Sequence, residues 1–128
     1  MKIEHVAWQA QDPVKVAGWY VEHLGFQVKR GFNEPPYAHF LADSTGQVMI
    51  EIYNNPKASV PDYSKQHPLL LHLAFVSEDV AADRARLIAA GAKPEGEIDK
   101  LPDGDELCML RDPWGFPIQL AKRGKRMV

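Results

Sequence analysis

A short strand-like run, Ile3-Glu4-His5-Val6-Ala7-Trp8, returns later in the chain as Leu70-Leu71-His72-Leu73-Ala74-Phe75. Each run leads to an aspartate suited to capping a helix, Asp12 or Asp79, the first followed by proline at the opening helical position. Apolar residues then recur at helical spacing. In the first stretch they are Val16, Ala17, Tyr20 and Leu24; in the second they are Val80, Leu87 and Ile88, with Arg84 the one polar break. Gly25 and Gly91 supply the stops. Three strand-like runs follow each helix. They lie near Phe26–Gly31, Tyr37–Ala42 and Val48–Tyr53, and then near Lys93–Ile98, Glu106–Leu110 and Pro117–Ala121. His5 and His72 are 67 residues apart, as are Asp12 and Asp79, and the turn glycines Gly46 and Gly115 are 69 apart. The order βαβββ therefore occurs twice, which predicts an α+β fold. The segment Asn54–His67, with Pro56, Pro61 and no periodicity, reads as a linker, so the modules are expected at 1–66 and 67–128.

Side chains alternate across a strand, which divides each strand into two faces. Val6 and Trp8 oppose His5, Ala7 and Gln9; Ile50 and Ile52 oppose Met49, Glu51 and Tyr53. In the second module Leu71, Leu73 and Phe75 oppose His72 and Ala74, and Ile118 and Leu120 oppose Gln119. One face of each strand can pack under a helix, and the other carries one polar side chain near its middle. His5 and His72 are equivalent in the repeat, as are Glu51 and Gln119, 68 residues apart. A pseudo-twofold relation between modules would point two imidazoles and two carboxyl-type oxygens toward one place. That set of two nitrogen and two oxygen donors suits Zn, Ni, Co, Mn or Fe(II). A single mid-strand histidine or glutamate is more often hydrogen-bonded or solvated than a ligand; the pairing by duplication is what favours a metal here. His39, beside Tyr37 and Leu41, fits a cavity wall or a surface or packing role.

Composition narrows the picture further. The chain has 128 residues, 45% hydrophobic and 25% charged, with a formal charge of −2. That is an ordinary globular composition with no electrostatic footprint for nucleic acid. The longest apolar run, Leu69–Val76, is broken by His72 and falls far short of the roughly 20 residues that a membrane helix needs. No signal-peptide pattern opens the chain, and the single cysteine, Cys108, excludes an intrachain disulfide; both suit the cytoplasm. Cys108 between Leu107 and Met109 reads as a packed thiol, and the basic residues 122–126 as a solvated tail. No Gly-rich phosphate loop, nucleophile elbow or paired-Cys zinc signature is present.

The strand His5-Val6-Ala7, the helix end Trp19-Tyr20-Val21-Glu22-His23-Leu24-Gly25-Phe26, Leu71-His72-Leu73-Ala74-Phe75 and the closing run Arg111–Leu120 together resemble the vicinal oxygen chelate superfamily of glyoxalases, bleomycin-resistance proteins and extradiol dioxygenases. The resemblance spans nearly the whole chain. It implies tandem βαβββ modules curled into an open, barrel-like sheet with helices outside, pairing within a chain or across a homodimer. It also implies a divalent metal ion at His5, Glu51, His72 and Gln119. The function implied is that of a metal-dependent enzyme acting on a small substrate that chelates the ion through vicinal oxygens. Its reaction would be proton transfer of glyoxalase I-like lyase or isomerase type, ahead of dioxygenase or transferase chemistry. Glu51 would then be the catalytic carboxylate, because Gln119 stands where the better-known enzymes resemble one another in having glutamate. The alternative implied is a non-catalytic binder of antibiotic-like molecules. A homodimer is expected, with Trp8 and Trp114 as apolar residues near element ends.

Overall fold

In the computed structural model, which describes residues 1–127, the repeat is realised as eight strands and two helices. They run β1 (His5–Gln9), α1 (Pro13–Leu24), β2 (Gln27–Gly31), β3 (His39–Ala42), β4 (Met49–Tyr53), β5 (Leu73–Val76), α2 (Val80–Ala89), β6 (Lys93–Lys100), β7 (Glu106–Arg111) and β8 (Pro117–Lys122). The chain divides into two units, Met1–Pro61 and the part from Asp62 onward. Each holds one four-stranded mixed sheet, ordered β1-β4-β3-β2 and β5-β8-β7-β6. The first strand of each module pairs parallel with the last, and the other neighbours are antiparallel. The fold is α+β with two βαβββ modules, as the repeat predicts. The strands form two separate sheets that are not closed into a barrel.

In the first unit the Asp12 carboxylate accepts from the Lys15 amide, Pro13 begins α1, and Gly25 ends it in a left-handed turn. The helix buries Val16, Ala17, Trp19 and Tyr20 and packs over β2, β3 and β4. Leu41, Ile50 and Ile52 meet it from the sheet. Trp8 is buried too, with its ring centroid 6.2 Å from that of Tyr20. It is a core residue of this unit, so it offers no surface for a partner.

The second unit repeats the device with Asp79 capping the Ala82 amide and Val80 and Leu87 fully buried. The polar break in this helix has a structural cause. Arg84 donates to the Gly96 carbonyl at 3.2 Å and reaches Glu97, so its stem crosses the apolar face to staple α2 to β6. Two sequence boundaries shift. β5 begins only at Leu73, and Leu69–Leu71 form an exposed turn ahead of it. Part of the segment read as linker is fastened to the second unit, because the buried Arg111 guanidinium donates to the carbonyls of Tyr63 and Gln66.

The closing turn of this unit is tightly built. The fully buried Asp112 accepts from the amides of Trp114 and Phe116, both at 2.9 Å. Gly115 has φ +90°, and a methyl group there would sit 3.0 Å from Ser64. Its counterpart Gly46 has φ +71° with open space around it.

Candidate functional site

In the first unit, strand register brings His5 and Glu51 together. Met49 lies opposite His5 and Glu51 opposite Ala7, so the two side chains are diagonal neighbours on one face of the β1–β4 pair. Nε2 of His5 lies 3.4 Å from Oε2 of Glu51. The other ring nitrogen, Nδ1, donates to the carboxylate of Glu4. That bond orients the ring so that Nε2 is the atom facing Glu51. The Glu51 side chain is only 19% exposed. Its one ion-pair contact among the described residues is with this imidazole. A carboxylate this far withdrawn from water suits a cationic neighbour. Phe40, opposite Glu51 on β3, completes this face with its ring edge-on to His5 at 5.7 Å.

The second unit repeats the arrangement one residue displaced from the strand. Gln119 lies opposite Ala74, and His72 immediately precedes β5. Nδ1 of His72 donates to the Pro68 carbonyl at 3.1 Å, which leaves Nε2 with the lone pair. Gln119 is half-buried on the face opposite the buried Ile118 and Leu120. Both rings are therefore held through Nδ1 with Nε2 left facing outward from that bond, one by a side chain and one by the backbone.

The structure thus brings His5 against Glu51 in the first unit and places His72 and Gln119 on adjoining segments of the second. Among the described residues no group of three or more His, Cys, Asp or Glu side chains converges. Two residues of the first pair's surroundings escaped the sequence reading. Glu4 precedes His5 in the chain and could have been noticed as an orienting carboxylate; Phe40 becomes visible only through the β3–β4 register. His39 takes the packing role. It lies opposite Ile52, on the helix-covered face, is buried, and donates through Nδ1 to the Tyr37 carbonyl at 2.8 Å. Gln9 shares the face of His5 but serves as a strut: its amide donates to the Asn55 and Ala58 carbonyls and accepts from the Asn55 amide. Burial pushes the Cys108 thiol above its ordinary range, against the nearby Arg84, so it is no ready nucleophile. A cavity of about 510 Å³ in the second unit lies beside Phe75, Val76, Lys122 and Met127 and includes neither His72 nor Gln119.

The family model of the glyoxalase/bleomycin resistance protein/dioxygenase superfamily matches residues 2–120. Among solved structures the chain is similar to the protein SMU.1112c, with 33% identity, 94% of this chain and 98% of that one covered, and a TM-score of 0.72. It is also similar to a glyoxalase family protein from Bacillus cereus, at 18% identity over 96% and 94% of the two chains and a TM-score of 0.80. A third is TnmS3, an antibiotic binding protein from a Streptomyces species, at 22% identity over 96% of each chain and a TM-score of 0.72. These last two likenesses bear on the fold alone. No curated protein sequence matches the chain. No helix among the described residues is long and apolar enough to cross a membrane.

Proposed function

Because this chain belongs to the glyoxalase/bleomycin resistance protein/dioxygenase superfamily, we propose that it is a metal-dependent enzyme acting on a small molecule with vicinal oxygens, by proton transfer of lyase or isomerase type. His5, Glu51, His72 and Gln119 would hold one divalent ion, the two pairs meeting within a chain or across a homodimer. The observation that carries this reading is the largely buried Glu51 carboxylate, 3.4 Å from Nε2 of a His5 ring that Glu4 holds in orientation. Both donors fit a borderline or hard divalent cation, as do the neutral Nε2 of His72 and the amide oxygen of Gln119. When bound, such an ion supplies Lewis-acid polarisation of adjacent substrate oxygens.

The chain's own part in proton transfer falls to Glu51. An amide cannot accept a proton at working pH, so Gln119 orients and Glu51, through a carboxylate oxygen, takes the proton. One carboxylate against a divalent charge leaves the set at +1, which favours an anionic oxygen on the substrate. The competing reading is a non-catalytic binder of an aromatic or antibiotic-like molecule. Elemental analysis after loading with Zn, Ni, Co, Mn or Fe(II) separates the two: near-stoichiometric metal supports the enzyme, and none contradicts it. The homodimer is tested by sedimentation at tens of micromolar, where monomer alone speaks against it.

Gln119→Glu adds a negative charge and a proton acceptor at constant shape. We expect metal binding to be kept or tightened, and hemithioacetal isomerisation to rise by roughly a hundredfold, the usual contribution of a positioned base. Loss of metal in this variant would remove Gln119 from the ligand set. Metal retained with no activity in parent or variant would leave the site and reject this reaction class.

A further inference from the structure

The β2–β3 register slips between Val28 and Arg30: Val28 lies opposite Leu41, yet Arg30, two residues on, lies opposite Phe40. Lys29 is therefore an extra residue, and the bulge turns it and Arg30 together toward the face that Phe40 occupies. One contact and the register of its partner fix this orientation. Lys29 Nζ donates to Gln27 Oε1 at 3.3 Å, and Gln27 is opposite Ala42, which shares the face of Phe40. Gly31 then returns to the other face, where a methyl group would stand 3.0 Å from the His39 imidazole. A cross-strand row results: Ala7, Glu51, Phe40, Arg30. At one end stand the proposed metal ligands, in the middle an apolar ring, at the other end two adjacent cations. Arg30 has no ionic or hydrogen-bonded partner among the described residues, and Lys29 has only a neutral amide. In an unbulged strand one of these two cations would point into the helix-covered side.

We infer that Lys29 and Arg30 are the anion-recognising end of the proposed site, so that its ligand carries a carboxylate separated from its chelating oxygens by a flat apolar spacer. The inference rests on the proposed function for the identity of the other end. Glu51 and Arg30 are two strand spacings apart, about 10 Å along the row. A separation of that order matches a ligand with one aromatic ring between its chelating oxygens and its carboxylate. A basic edge strand also discourages edge-to-edge pairing, and that role alone would need no selectivity among small anions.

The test uses phenylglyoxylate and para-carboxyphenylglyoxylate, which share vicinal oxygens and a ring and differ by the distal carboxylate. Calorimetry on the metal-loaded full chain should show the second binding about tenfold tighter, the effect of one or two charge-assisted hydrogen bonds at a partly solvated site. The double variant Lys29→Gln with Arg30→Gln should bring the two probes within twofold, with metal content unchanged. A preference absent from the parent, one that survives in the double variant, or no binding of either probe at millimolar concentration overturns the inference. Metal content of the same preparations separates this failure from that of the proposed function. Full metal without the preference rejects the anion end alone. Preference without metal rejects the ion and keeps the anion end.

Discussion

Replacing His5 by alanine is expected to lower bound divalent metal at least tenfold, and His72→Ala is expected to do the same. Each imidazole is already held by its Nδ1, to Glu4 in one unit and to the Pro68 carbonyl in the other, so each offers Nε2 with its orientation fixed. Removing a partner that merely orients a metal-bound histidine typically costs about ten- to a hundredfold in affinity. Removing the imidazole itself should cost no less. Neither side chain supports the core: both lie on the faces away from the helices. The variants should therefore keep parental circular dichroism while losing metal by elemental analysis. Unchanged metal in both would eliminate the proposed site, whatever the reaction.

Arg111→Leu is expected to destabilise the protein by about 3 kcal/mol in urea unfolding. The guanidinium is buried and makes five hydrogen bonds: two to the Glu95 carboxylate and one each to the carbonyls of Tyr63, Gln66 and Gly115. Leucine fills part of the space but leaves those carbonyls without this donor. The difference should also depend on pH. The Arg111 hydrogen bonds hold the Glu95 carboxyl below its ordinary range. A carboxyl lowered on folding contributes fully above its unfolded pKa, and that contribution fades as pH falls through the folded value. The gap between parent and Arg111→Leu should therefore narrow in acid. A variant as stable as the parent at neutral pH would show that the buried pair is offset by the cost of desolvating it.

Where the chain repeats itself, the fold could be read closely. Both caps, both helices and the strand faces carrying His5, Glu51 and Gln119 follow from local periodicity, because each depends on neighbours two to four residues away. What escaped depends on register or on distant partners. The bulge at Lys29 changes which face Arg30 occupies by inserting a single residue, and no alternation of residue types marks it. Arg111 looked like part of a closing motif. Its role as the anchor for Tyr63 and Gln66 depends on residues more than forty positions away. That is why 63–66 read as linker although the second unit holds it. Leu70 and Leu71 read as the start of a strand because an exposed apolar turn and a buried strand share a composition. His72 could be assigned to its face from the alternation that runs on through β5, but its link to Pro68 could not.

The two closing turns have diverged in how much change each tolerates. The first, at Asp43–Gly46, closes on its own side chains and amides, with empty space beside Gly46. The second has Ser64 packed against Gly115 and the buried Asp112 beneath it. Inserted residues, a reporter peptide or drifting sequence can accumulate at the first with little effect on folding. The second is confined to a narrow set of sequences. Duplication produced two equivalent corners, and only one is still free to vary.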